Sequence, residues 1–284
     1  MLGRFFIWAT QKPMLRKVFW RTWYNYWSHR HTTAGVWEFM NYGYSPTDPD
    51  TPRLQLEPDD ERFRNWIQLY DQIASRIDLR GKELVEVGSG RGGGCSYVHR
   101  YLKPTKSIGI DFAKSSVAYC QQRHRVPGLS FLQGDALELP LGNDSVDVVL
   151  NVESSHAYRS RERFFQEVYR VLRPGGYFLI TDFVEEHNRE SMESMLTAPG
   201  LDLLEKQEIT AEVLKALSED EETKQQAIAD MVHPAFLGMF SEFAGVEGSA
   251  IVESLASRYN VYYRYVLRKV DSDDAKELVS RTSE

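Results

Sequence analysis

Apolar and polar positions along this chain follow two rhythms, one of strand length and one of helical spacing, and they alternate. Short apolar runs near 83–88, 107–111, 129–133, 146–151 and 177–183 read as strands. Between them, near 93–103, 113–124 and 160–172, apolar residues recur at helical spacing. An earlier helix is predicted by Phe63, Trp66, Ile67, Leu69, Tyr70, Ile73 and Ile77. Arg173-Pro174-Gly175-Gly176 reads as a helix stop and a turn into the strand at 177. Alternation of this kind predicts an α/β fold, a doubly wound, Rossmann-like and mainly parallel sheet with ligands at the carboxyl ends of its strands.

After Asp182 the rhythm changes. Residues 186–196 are expected to be helical, 201–210 a strand, 211–256 mostly helical with breaks at His233-Pro234 and Gly245, and 261–270 a seventh strand. The helical insertion between the last two strands is expected to act as a lid. Its apolar underside would comprise Leu214, Leu217, Ile228, Met231, Phe236, Leu237, Met239, Phe240 and Phe243. The chain so divides into an N-terminal arm with a proline-rich linker (1–58), a ligand-binding core (59–210), the lid (211–256), a final core strand (257–270) and a charged tail (271–284).

The arm, to about Tyr44, holds five of the six tryptophans together with Arg4, Lys12, Arg16, Lys17, Arg21 and Arg30, and no acid precedes Glu38. Two readings stand: peripheral contact with an anionic membrane surface, or a helical arm packing its aromatics over the active site. The lack of a clean apolar face favours the second. Composition narrows the remainder. A chain of 284 residues, 42% of them hydrophobic, supports a substantial core. A net charge of −7 argues against a nucleic-acid surface. Two cysteines, Cys95 and Cys120, fit a reducing cytoplasm, and no His/Cys spacing suggests a metal site.

The densest chemistry lies in Glu86-Val87-Gly88-Ser89-Gly90-Arg91-Gly92-Gly93. Gly88, Gly90 and Gly93 satisfy the G-x-G-x-x-G pattern for dinucleotides, in which loop amides cradle a pyrophosphate. Gly88, Gly90 and Gly92 equally satisfy a G-x-G-x-G loop for S-adenosylmethionine. The acids separate the two. Glu86 before the loop would repel phosphate but suit a sulfonium and an ammonium. Asp111, with Phe112 beyond it, ends the second strand where a carboxylate can take both ribose hydroxyls. Asp135, followed by Ala136, ends the third, within reach of an adenine amine. Ser89 and Asn151 complete the expected cofactor set.

Taken together, VEVGSGRGGG, IGIDF, GDALELP, VDVVLNVESSHAY and VLRPGGYFLITDF resemble the motifs of class I S-adenosylmethionine-dependent methyltransferases. More narrowly, RHRVPGLSF (123–131), NVESSHAY (151–158), ITAEVLKAL (209–217), HPAFL (233–237) and EFAGVEG (242–248) resemble the mycobacterial phthiotriol/phenolphthiotriol dimycocerosate methyltransferases. The similarity runs from roughly Trp20 to Arg268 and leaves the first eighteen residues unmatched. It implies O-methylation of a hydroxyl on a hydrophobic lipid or polyketide-like substrate.

An alcohol acceptor needs a base to take its proton as the oxygen attacks. His156 lies just beyond the fourth strand, and histidine's ordinary pKa, near 6.5, suits that role. Methyltransferases that this segment resembles use a histidine at the matching position, often with an Asp at the end of the next strand; that Asp matches Asp182. Glu153 and Tyr158 are candidate substrate contacts, Glu153 alternatively a solvated loop acid. Tyr42 and Tyr44 are candidates to fold back on the cofactor. C- or N-methylation of a small metabolite, a non-catalytic cofactor-binding protein and an NAD oxidoreductase are the competing readings.

Overall fold

The computed structural model describes residues 38–231 and 237–270. The arm up to residue 37, the His233-Pro234 break, Phe236 and the tail from 271 lie outside the described residues, as do the side chains of Met231, Met239 and Phe243.

Seven strands form one sheet: β1 (Glu83–Val87), β2 (Lys106–Asp111), β3 (Leu129–Gln133), β4 (Val146–Val152), β5 (Leu172–Glu185), β6 (Leu201–Glu208) and β7 (Asn260–Lys269). Their order is β3-β2-β1-β4-β5-β7-β6, with β7 antiparallel to both its neighbours and β1 to β5 parallel. Chain order reverses between β1 and β4, so the loops after these two strands diverge and leave a crevice at the carboxyl edge.

Helices α1 (Arg64–Ala74), α2 (Gly93–Leu102), α3 (Lys114–Arg123) and α4 (Arg161–Val171) belong to the parallel half. The sheet separates two apolar cores, because alternate side chains of a strand face opposite ways. Val85, Val87 and Val149 join Phe164, Phe165 and Phe178 on one side, while Leu84, Val148 and Leu150 join Ile67, Ile73 and Tyr97 on the other. Ile67, Tyr70, Ile73 and Ala74 make the inward stripe of α1, as their helical spacing requires.

The strand expected at 177–183 is longer, beginning at Leu172 directly after α4. Arg173-Pro174-Gly175-Gly176 stays in the sheet through an irregularity between Val146 and Val148. The Arg173 guanidinium, bonded to Asp147 and Glu83 at 2.8 Å each, holds it there. Beyond β5 come α5 (Arg189–Thr197), then, between β6 and β7, α6 (Thr210–Glu219), α7 (Glu221–Met231), α8 (Leu237–Ala244) and α9 (Ala250–Ala256). Val213, Leu217 and Leu255 of this insertion pack into the core shared with α1. No helix among the described residues is long and apolar enough to cross a membrane.

Candidate active site

The glycine loop after β1 is held from below. The amides of Gly88 and Ser89 donate to the Ile110 carbonyl at 2.8 and 3.1 Å, and Gly90 N–H donates to Asp111 Oδ2 at 2.8 Å. Gly92 N–H donates to Ser89 O, and Gly93 N–H to Glu38 O. These amides are therefore spent inside the protein. A pyrophosphate would find none of them free, which removes the anion site that the dinucleotide reading needs. Gly88 could carry no side chain: its φ is +78°, and a Cβ would stand 2.4 Å from Ser154 Oγ and 2.6 Å from Tyr158 Oη.

A cavity opens at the carboxyl edge over this loop. Gly88, Ser89 and Gly90 line it, as do Asp111 and Phe112 after β2, Asp135 and Ala136 after β3, and Glu153, His156 and Tyr158 after β4. These ten sequence-predicted residues come from four strand ends and converge on one space. Four predicted residues lie off its wall. Gly92 packs against Phe131 and Cys120. Asn151 is fully buried; its Nδ2 donates to Val87 O at 2.9 Å and to Ser154 Oγ at 2.7 Å, so it ties β4 to the glycine loop. Asp182 stands behind His156. Glu86 lies beneath the loop rather than at its mouth, because strand alternation turns it with Leu84 toward α1, where Tyr70 Oη donates to it at 2.7 Å.

Burial sets the charge of these acids. Glu86 is fully enclosed, and desolvation raises its pKa to about 7 despite the Tyr70 hydrogen bond. Desolvation likewise lifts Asp111 to about 6, against the Ala113 and Gly90 amides that favour its ionised form. Asp182, opposite Tyr263 of β7 and one residue past the last β5 position paired with β4, goes the other way. Its burial opposes ionisation, yet the His156 charge and hydrogen bonds, Arg161 and Ser155 together hold it down at about 2.

The dyad geometry is explicit. Asp182 Oδ1 accepts from His156 Nδ1 at 2.8 Å and from Phe183 N–H at 2.9 Å. Oδ2 accepts from Ser155 Oγ at 2.5 Å and from His156 N–H at 3.0 Å. The imidazole lies against the Phe183 ring, centroids 4.4 Å apart. With Nδ1 committed to Asp182, Nε2 is the nitrogen left for cavity chemistry.

Of the remaining lining, the sequence pointed by residue only to Tyr42. Residues Glu38 to Tyr42 line the cavity, together with Tyr70, Arg91, Ser154 and Arg159. Of the two candidate tyrosines, Tyr42 reaches the cavity and Tyr44 does not; Tyr44 bonds to α1 through Asn65 O and Gln68. Glu153 is not a solvated loop acid. It is partly buried, accepts from Tyr42 N–H at 2.9 and 3.1 Å and from Tyr262 Oη at 2.7 Å, and desolvation raises its pKa to about 8. Its φ of +44° is left-handed, a conformation costing a non-glycine residue about 1 kcal/mol or more. No described residue of the 211–256 insertion lines the cavity; the insertion meets the site through Tyr42, which packs near Gly245. Among the described residues, no cluster of His, Cys, Asp and Glu suited to a metal ion occurs.

Comparison with known proteins agrees with this geometry. Residues 85–180 match the methyltransferase domain family. A phthiotriol/phenolphthiotriol dimycocerosates methyltransferase of Mycobacterium tuberculosis is 39% identical over 258 residues, covering 89% of this chain and 93% of that protein. A fatty-acid O-methyltransferase of Mycolicibacterium smegmatis is 40% identical over 199 residues, 70% of this chain and 72% of that one. Among solved structures, a putative sarcosine dimethylglycine methyltransferase from Galdieria sulphuraria superposes with a TM-score of 0.68 at 17% identity, covering 87% of this chain and 98% of that chain, a likeness of fold. The glycine loop, the sheet order and the identity across most of the chain make one conclusion: it belongs to the phthiotriol/phenolphthiotriol dimycocerosates methyltransferase family, S-adenosylmethionine-dependent enzymes of class I fold related to lipid O-methyltransferases.

Proposed function

We propose that this enzyme methylates a hydroxyl group on a hydrophobic, lipid- or polyketide-like substrate, with His156 as general base and Asp182 as its orienting partner. The observation that carries the reading is the His156–Asp182 pair itself, a histidine on the cavity wall whose Nδ1 is fixed at 2.8 Å from an ionised carboxylate. A carboxylate acceptor has already lost its proton and needs no base. An alcohol does need one.

The residues fit S-adenosylmethionine. Asp111 offers a carboxylate at the end of β2 for the ribose hydroxyls, Asp135 stands at the end of β3 for the adenine amine, and the exposed Phe112 ring and Ala136 give that base a flat apolar seat. Gly88, Ser89 and Gly90 supply a wall without side-chain bulk; Glu86, Gly92 and Asn151 act from behind it, holding the loop and its field. When bound, this cofactor supplies a methyl group on a sulfonium, already activated for transfer. The protein's own part is then to orient the acceptor and to exclude water, which contributes on the order of 7–11 kcal/mol.

His156 Nε2 takes the hydroxyl proton, and the positive charge that forms on the ring is balanced by Asp182, which stays ionised at all physiological pH values. Apolar lining by Phe39, Met40, Tyr42, Val152 and Tyr158 suits a greasy acceptor. The names of the relatives, a dimycocerosate lipid methyltransferase and a fatty-acid O-methyltransferase, support a lipid acceptor. Substitution of His156 by Gln or Ala is expected to lower turnover on a long-chain alcohol by about 10²–10⁴ while S-adenosylhomocysteine still binds. Near-normal turnover in both variants would remove His156 from the mechanism.

A further inference from the structure

Residues 38–44 form a strap along one wall of the cavity. Its first end is tied by Gly93 N–H to Glu38 O at 3.2 Å and by the Glu38–Arg123 ion pair at 2.7 Å. The other end is tied to α1, through Tyr44 N–H to Asn65 O at 2.9 Å and Gln68 Nε2 to Tyr44 O at 2.6 Å. Between these anchors, Tyr42 N–H points across to the loop after β4 and meets both oxygens of Glu153.

Glu153 is itself immobilised. Tyr262 of β7 donates to its Oε1, its own N–H donates to Thr181 O of β5, and its backbone is left-handed without being glycine. A carboxylate set on the cavity wall, with its oxygens given to a backbone amide 111 positions away in sequence, is placed for holding rather than for proton transfer. It also stands three residues before His156, on the same loop.

We propose that Glu153 is a positioning residue, a clasp that fastens the 38–44 strap against the loop bearing His156, so that cofactor capture and product release require its opening. The inference rests on the cavity being the S-adenosylmethionine site. The strap lines the same cavity as the acids at the ends of β2 and β3. With the Tyr42–Glu153 contact released, the strap would remain tethered at both ends and at Asn41, whose Nδ2 donates to Trp66 O of α1 at 3.2 Å, so the part freed to swing is the Tyr42 edge.

Hydrogen exchange on the full-length, unliganded protein tests the clasp without any turnover. Glu153→Ala is expected to speed exchange of peptides spanning 38–45 by roughly tenfold, the effect of losing the carboxyl that holds the Tyr42 amide, while peptides from β2 and β5 stay unchanged. Stopped-flow dissociation of S-adenosylhomocysteine should accelerate alongside. Glu153→Gln keeps an acceptor oxygen and should return both readings to within about threefold of the parent. Should the Ala variant fail to fold, Glu153→Gly, which suits the left-handed backbone, carries the same readings. Unchanged exchange over 38–45 in a folded Ala or Gly variant, or a Gln variant as loose as the Ala one, overturns the clasp. Failure of the parent protein to bind S-adenosylhomocysteine would instead sink the cofactor reading, leaving the exchange result to judge the clasp alone.

Discussion

Binding of S-adenosylmethionine near neutral pH should expel protons from the protein. Three acids cluster at this end of the sheet, Glu86 fully buried and Asp111 and Glu153 partly so, and desolvation raises each: Glu86 to about 7, Asp111 to about 6 and Glu153 to about 8. At pH 7 these values leave about half of Glu86, about a tenth of Asp111 and about nine-tenths of Glu153 protonated, roughly one and a half protons together. A sulfonium and an ammonium arriving nearby favour the ionised forms, and about 1.4 kcal/mol of such attraction moves a pKa by one unit. Release on the order of one proton per cofactor is therefore expected at pH 7, fading above pH 9, where the acids are already ionised. The assay is titration calorimetry in buffers of contrasting ionisation enthalpy. S-adenosylhomocysteine, which lacks the sulfonium charge, should release fewer protons, and Glu153→Gln should lose roughly 0.4 proton, a share about equal to that of Glu86. A binding enthalpy independent of buffer at pH 7, or net proton uptake by the parent protein that Glu153→Gln leaves unaltered, would refute the reasoning.

Asp182→Asn should lower turnover by about 10²–10⁴ with little change in cofactor affinity, because four donors face the two Asp182 oxygens and an amide can accept on only one of them; unchanged kcat would contradict the dyad. Gly88→Ala should cost about 2–4 kcal/mol in denaturant unfolding and weaken S-adenosylhomocysteine binding, since it combines left-handed strain with a clash against Ser154 and Tyr158; a variant of parental stability would show the loop to be slacker than described. The raised pKa of Glu153 predicts a stability contribution present below its ordinary pKa near 4.3 and lost as pH rises through about 8. Urea midpoints followed from pH 5 to 9 should accordingly fall less steeply for Glu153→Gln than for the parent, and parallel curves would count against a buried carboxyl.

Much of the site was readable because it is local. Strand periodicity put Gly88, Asp111, Asp135 and His156 at four successive strand ends, and a parallel sheet brings strand ends together whatever its side chains. Two things resist such reading. Strands buried on both faces lose the alternation that would say which way a residue points, so Asn151 and Glu86 appear to be cavity residues in the sequence and turn out to tie and underlie the loop. The antiparallel setting of β7 between β5 and β6 is hidden for the same reason, since an apolar run carries no direction. Long-range pairing leaves no trace either: nothing near Tyr42 announces that its amide meets Glu153, and nothing near Glu153 separates a buried carboxyl from a solvated one. The 211–256 insertion illustrates the limit of apolar counting. Of its predicted underside, Leu217, Ile228 and Phe240 are buried while Leu237 is exposed, and Leu217 packs into the α1 core rather than the cavity.

The central claim is transfer of a methyl group to a lipid hydroxyl with His156 as base. Its most direct measurement follows labelled methyl from S-adenosylmethionine into two matched long-chain acceptors, a secondary alcohol and a fatty acid, using the parent enzyme and His156→Gln. The account predicts label in the alcohol as its methyl ether, lost by about 10²–10⁴ in the variant, with S-adenosylhomocysteine binding retained. Label confined to the fatty acid as its methyl ester, at equal rates in both proteins, would contradict it.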